Sequence, residues 1–164
     1  MTIIARHGTD SGAAGRTDPH LDAVRREAEP LRVLVADDHP LFRRGVARTV
    51  QRRAGLELVA EAADGREALE LIDALQPDVA VLDLRMPRLT GLDVCAELRA
   101  RPAPPPTRVL ILSAFEDAAL VWDALSAGAS GFVGKEAAPG DVCAAIEAVG
   151  RGEAAFGTVG RGAL

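Results

Sequence analysis

Short apolar runs alternate with amphipathic stretches from Leu31 to Val149. LRVLVA (31–36), DVAVLD (78–83) and RVLIL (108–112) are continuous runs of Val, Leu and Ile. Runs of that length suit strands buried on both faces of a parallel sheet. Leu56–Ala62 instead alternates apolar residues with Glu, as an exposed edge strand does, and a fifth run, Ser130–Val133, follows the Gly128-Ala129 break. Helical patterns fill the gaps. Pro40 stands in the first turn of Leu41–Arg53, Asp64 caps Gly65–Leu75, and Thr90 caps Gly91–Ala100. Ala68, Leu69, Ile72 and Leu75 share one face of the second helix. Ala118, Val121 and Leu125 recur at helical spacing in Glu116–Ala127, as do Val142, Ile146 and Val149 in the last helix, which Pro139 opens. Five strand-then-helix units predict an α/β fold, a doubly wound, flavodoxin-like five-stranded parallel sheet of order 2-1-3-4-5.

The flanks have a different texture. Residues 1–30 are rich in Gly, Ala, Thr, Asp and Arg and show no sustained period before Pro19. They are expected to form a disordered or weakly helical extension, with a short helix starting at Asp18-Pro19 and ended by Pro30. His7 and His20 lie there without neighbouring ligands, so neither is read as a metal ligand. Residues 31–150 form the domain. After Val149 the chain reads GRGEAAFGTVGRGAL, so 151–164 is expected to be a Gly-rich tail.

Composition narrows the function classes. In 164 residues, 48% are apolar and 26% charged, which excludes a wholly disordered chain. A net charge of −5 and 3% aromatics without Tyr argue against a nucleic-acid coat or a base-stacking platform. No apolar run approaches the roughly 20 residues of a membrane helix. Cys95 and Cys143 read as buried, reduced thiols, which suits a cytoplasmic location. Of 19 basic residues, the one lysine is Lys135.

Chemistry gathers at the predicted C-terminal strand ends, where doubly wound sheets carry their sites. Asp37 and Asp38 end the first strand, Asp83 the third and Ser113 the fourth, while Lys135 follows the fifth. Two carboxylates about 4 Å apart repel by roughly 4 kcal/mol at an effective dielectric near 20, so such a cluster takes up a proton or a cation. Hard oxygen donors, read as having no His or Cys nearby, favour Mg²⁺. A cation with open positions beside a carboxylate can hold a phosphoryl group, with Lys135 as the second positive charge, Ser113 as a hydrogen-bond donor and Asp83 as the nucleophile. Taken singly, the Asp-Asp pair, Asp83 and Ser113 also fit turns and helix caps, and Lys135 a solvated surface charge.

The segments RVLVADDHPLFRRGV (32–46), AADGREALELI (62–72), PDVAVLDLRMPRLTGLDV (77–94), RVLILSAF (108–115) and AGASGFVGK (127–135) resemble the receiver domain of bacterial two-component response regulators. This CheY-like resemblance covers about 31–150, and the DDHP and GASGF forms are similar to the NarL/FixJ subfamily. It implies that Asp83 accepts phosphate from a sensor histidine kinase. It further implies that Asp37, Asp38, Asp83 and the backbone carbonyl of Arg85 hold Mg²⁺, that Lys135 is the essential lysine, and that Ser113 and Phe132 are the switch pair. Phosphorylation then draws Ser113 inward, rotates the aromatic and changes the face made by the fourth helix, fifth strand and fifth helix. That face is where a homodimer or a downstream protein would dock. Such a protein is a phosphoacceptor switch that assists its own phosphorylation and dephosphorylation rather than an enzyme.

Two departures stand out. Gly134 replaces the aliphatic residue many subfamily members carry before the lysine, and the usual helix-turn-helix output module is missing after Val149. The chain is therefore expected to be a stand-alone, fragmentary or truncated receiver without a nucleic-acid-binding domain. The alternatives are an interaction module that works without phosphorylation, or an aspartyl-phosphate phosphatase of haloacid-dehalogenase type. The latter needs an Asp two residues after the nucleophile, where this chain has Arg85.

Secondary features are read alongside. Arg44, Arg48 and Arg52, with Arg43 and Arg53, form a basic helix face, read as solvated or as docking an acidic partner ahead of contacting DNA. Trp122 is read as core filling, with exposure on the output face as the alternative, and Pro102–Pro106 as a stiff connector. Arg85 and Phe115, two residues past Asp83 and Ser113, are expected to flank the entry to the acyl phosphate and slow attack by water.

Overall fold

The structure, a computed structural model, describes residues 18–156. The elements are α1 (Pro19–Ala28), β1 (Leu31–Ala36), α2 (Pro40–Arg52), β2 (Leu56–Ala62), α3 (Gly65–Leu75), β3 (Val79–Asp83), α4 (Gly91–Arg99), β4 (Arg108–Ser113), α5 (Ala118–Ala127), β5 (Gly131–Gly134), α6 (Pro139–Gly150) and β6 (Ala155–Phe156). All pairings are parallel. The order is β2-β1-β3-β4-β5-β6, so the sheet has six strands where five were expected.

The sixth strand is a correction to the reading of 151–164 as a tail. Gly152, at φ +87°, reverses the chain after α6, and Ala155 and Phe156 then pair beside Gly131 and Phe132. A side chain at Gly131 would sit 2.6 Å from the Ala155 carbonyl, so the close approach needs glycine there. Two residues are too few for a period to register in the sequence. Residues 157–164 lie outside the described part, as do 1–17 with His7. At the other end, residues 19–28 of the N-terminal extension form the ten-residue helix α1, with Asp18 Oδ1 accepting from His20 N at 2.9 Å.

Alternation along each strand builds two cores. Leu34, Ala36, Ala80, Leu82 and Ile111 face one way and pack with Ala68, Ile72, Val94 and Ala124 from α3, α4 and α5. Val33, Val35, Val79, Val81 and Leu110 face the other and pack with Val46, Val50, Val142, Ile146 and Val149 from α2 and α6. Burial on both faces explains the continuous apolar runs. β2 is an edge strand with exposed Glu57 and Glu61, as its alternation predicts.

The expected caps form. Thr90 and Asp93 make a reciprocal capping box, and Asp64 Oδ1 accepts from Glu67 N at 2.9 Å. α5 departs from expectation. It starts at Ala118 under the Asp117 cap, not at Glu116, and of its apolar residues only Ala124 is buried. Leu125 is exposed, and so is Trp122, at 68%, which corrects the core reading of that residue. Helical spacing identifies a face, but Ala124 and the half-buried Leu120 and Val121 suffice to cover this part of the sheet. Trp122 is left on the outer side.

Candidate functional site

The site is built where β1, β3, β4 and β5 end. Strand direction delivers Asp37 just past β1, Asp83 as the last residue of β3, Ser113 as the last of β4, and Lys135 just past β5. Three polar side chains are buried here, with Asp37, Asp83 and Ser113 exposed by 2%, 4% and 1%. Lys135 Nζ donates to Asp37 Oδ2 at 2.8 Å and lies 3.3 Å from Asp83 Oδ2. Its side chain is 13% exposed and its ammonium sits 4.4 Å above the Phe42 ring. The only lysine of the chain is therefore held between two carboxylates and an aromatic face.

Local turns aim the acids. Asp37 Oδ1 accepts from His39 N at 2.8 Å, and Ser113 Oγ accepts from Phe115 N at 3.0 Å. Asp83 Oδ1 stands 3.5 Å from Arg85 N, a long contact. Each of these residues thus also caps the amide two residues on, so the turn reading and the functional reading describe the same side chains. Arg43 Nη1 donates to the Asp37 carbonyl at 2.7 Å and lies near Glu61, which ties α2 to the end of β1.

Charge at the rim is unbalanced. Three carboxylates, Asp37, Asp38 and Asp83, face one ammonium. Burial, followed by repulsion from Asp37, pushes the Asp83 carboxyl up to about 6, and the attraction of Lys135 offsets only part of this. Asp38 Oδ1 is buried with no hydrogen-bond partner. An orphaned, buried carboxylate oxygen beside two further carboxylates fits a hard divalent cation. One donor atom each from Asp37, Asp38, His39 and Asp83 lies within 4.8 Å of the others, so these four can converge on one ion.

Of the residues singled out by sequence, Asp37, Asp38, Asp83 and Lys135 come together. Ser113 sits on the same rim, but its hydroxyl oxygen is engaged with Phe115 N. Phe132 is not at the rim. It is buried in the core shared with α3, α4 and α5, between Ile111 and Phe156 in the sheet. Arg85 and Phe115 are exposed and stack, with the guanidinium 5.0 Å from the ring centroid. Space at Gly134 is filled by the Glu116 side chain, which occupies the position a Cβ would take. Arg44, Arg48 and Arg52 are exposed along α2, and Arg53 pairs with Glu147 of α6 at 2.7 Å. Cys95 and Cys143 are buried free thiols, and burial lifts the Cys95 thiol to about 12.

Sequence reasoning passed over His39, Phe42 and Glu116. His39 follows the acid pair and precedes Pro40, a proximity visible in the string DDHP. The packing of Phe42 on Lys135, and of Glu116 over Gly134, joins residues far apart in the chain and leaves no local signal.

Residues 33–147 match the response regulator receiver domain family. The chain is 46% identical over 120 residues to NarL of Mycobacterium tuberculosis, a transcriptional regulatory protein, covering 73% of this chain and 55% of that one. It is 38% identical over 130 residues to the nitrate/nitrite response regulator NarP of Escherichia coli, covering 79% and 60%. It thus spans little more than half the length of these relatives. Among solved structures, the signal receiver domain of NarL from Mycobacterium tuberculosis superposes with a TM-score of 0.73 at 45% identity, covering 76% of this chain and 99% of that chain. A LuxR-family two-component response regulator from Aurantimonas gives 0.74 at 36% identity, covering 79% and 91%. Among the described residues, no helix is long and apolar enough to cross a membrane. With the strand-end acids, the lysine and the parallel sheet in the arrangement described, the chain belongs to the response regulator receiver domain family.

Proposed function

We propose that Asp83 is the phosphoacceptor of a two-component phosphorelay, receiving its phosphoryl group from a sensor histidine kinase. The observation that carries this reading is the buried triangle of Asp83, Asp37 and Lys135, with more carboxylate than ammonium charge. Asp37, Asp38, Asp83 and the Arg85 carbonyl would hold Mg²⁺, whose part is to neutralise phosphoryl charge. Asp83 supplies the attacking carboxylate oxygen. Its raised pKa still leaves it mainly ionised at pH 7. Lys135, already shared between Asp37 and Asp83, orients both and is placed to pair with a phosphoryl oxygen. The Ser113 hydroxyl keeps its own proton to donate, since its oxygen is what Phe115 N uses.

The response spreads from this rim to α5, β5 and α6. Trp122 and Leu125 are exposed apolar side chains on α5, which suits a homodimer or a downstream protein docking there. The protein is a switch that assists its own phosphorylation and dephosphorylation, not a turnover phosphatase. Arg85 stands where a phosphatase of that type needs a carboxylic acid, and a guanidinium cannot exchange a proton near neutral pH.

Incubating the chain with acetyl phosphate and Mg²⁺ tests the reading by intact mass. One phosphoryl group is expected on the wild type and none on Asp83→Asn. Equal uptake by both would remove Asp83 from this role.

A further inference from the structure

His39 adjoins the acid pair but plays no part in the reading above. Its backbone is fixed from both sides. His39 N donates to Asp37 Oδ1, and Pro40 in the next position holds His39 extended, at φ −90° and ψ 106°. The imidazole is thereby held over the acids. Nδ1 lies 3.2 Å from Asp37 Oδ1 and 3.2 Å from Asp38 Oδ1, and the ring is 71% exposed. Without an ion, Nδ1 stands at hydrogen-bond distance from Asp37 Oδ1, while Asp38 Oδ1 remains without a partner.

The same spacing is close to that of neighbouring donors around one ion. For metal–donor distances of about 2.1 Å in octahedral geometry, adjacent donors stand about 3.0 Å apart. With its proton on Nε2, the ring presents the Nδ1 lone pair to the cluster. We propose that His39 is a nitrogen ligand of the cation site and tilts its preference from Mg²⁺ towards Mn²⁺ and the later first-row divalent ions. Oxygen donors alone suit Mg²⁺, whereas an imidazole adds a borderline donor that binds transition ions better. This rests on the acidic cluster being a cation site at all, and the test separates the two claims.

The experiment titrates the full chain with Mg²⁺ alone and Mn²⁺ alone by calorimetry, and records electron spin echo modulation of bound Mn²⁺. Wild type is compared with His39→Ala, His39→Gln and Asp38→Asn. Both His39 variants should bind Mn²⁺ about tenfold more weakly while Mg²⁺ affinity changes by less than about twofold. Nitrogen modulation should be present in the wild type and absent in both variants, a signature that altered folding alone would not produce while Mg²⁺ binding persists. An unchanged Mn²⁺-to-Mg²⁺ ratio, or wild-type Mn²⁺ without nitrogen coupling, overturns the role of His39 and leaves the cation site standing. Wild-type affinity for both ions in Asp38→Asn overturns the site itself.

Discussion

The two ends of the one sheet handle charge in opposite ways. At the N-terminal end, Arg32 N donates to Asp78 Oδ2 at 2.8 Å, and the Arg32 guanidinium donates to the Leu75 and Gln76 carbonyls at the end of α3. Thr107 Oγ1 donates to the Pro77 carbonyl at 2.6 Å, and Arg108 Nη1 to the Gly150 carbonyl at 3.2 Å. Every one of these groups closes a helix end or joins neighbouring strands. At the C-terminal end, two buried carboxylates, Asp37 and Asp83, share one ammonium, and a buried oxygen of the third, Asp38, has no hydrogen-bond partner. Satisfied polar groups hold a fold together, whereas an unsatisfied buried acid lowers stability unless something binds it. Polar residues at strand ends thus divide by whether their partners are present, not by residue type.

The largest effect that would sharpen this contrast comes from Lys135. Replacing it with Met should slow phosphoryl uptake on the order of 100-fold, since an ammonium contact to a developing anionic centre is lost. Lys135→Arg should not restore the rate, because a planar fork cannot replace a point charge between Asp37 and Asp83. Uptake of phosphoryl from acetyl phosphate, followed by intact mass, measures both.

Next in size is the pH dependence of stability in chelator. Asp83 titrates higher in the folded state than in the unfolded chain, so the folded state holds the extra proton between pH 4 and about 6. Its contribution therefore falls as pH rises through that window and stays lost above it. Asp83→Asn should flatten this slope and stabilise the chain by about 2 kcal/mol at pH 7, read by urea unfolding. A steeper decline in the variant would contradict the assignment of strain to this acid.

At the opposite end the sign reverses. Asp78→Ala should destabilise by about 1–2 kcal/mol, since it strips the Arg32 amide of its acceptor, while phosphoryl uptake stays unchanged. The smallest effect concerns Arg85 and Phe115, whose stacked pair flanks the rim. Alanine at either position should shorten the phosphoryl half-life by about two- to fivefold if the pair excludes water, a change worth under about 1 kcal/mol.

Much of this was legible in the sequence. Five strands and the helices between them follow from apolar runs and caps, because a sheet buried on both faces imposes a pattern every few residues. Asp37, Asp83 and Lys135 were readable because a parallel sheet aligns all strand ends on one rim. What escaped depends on contacts with no local period. β6 is two residues long and exists because Gly131 leaves room for it. Trp122 lies outside the core because small and half-buried residues on the same helix already cover the sheet. Phe42 meets Lys135 only once α2 and β5 are folded onto the same core.

The most direct test of the central claim locates the acyl phosphate itself. After reaction with acetyl phosphate and Mg²⁺, borohydride reduces an aspartyl phosphate to homoserine, and peptide mapping reads its position. Homoserine is expected at position 83 alone, dependent on the divalent ion. Homoserine at Asp37 or Asp38, or none at position 83 in a protein that has taken up phosphate, would contradict it.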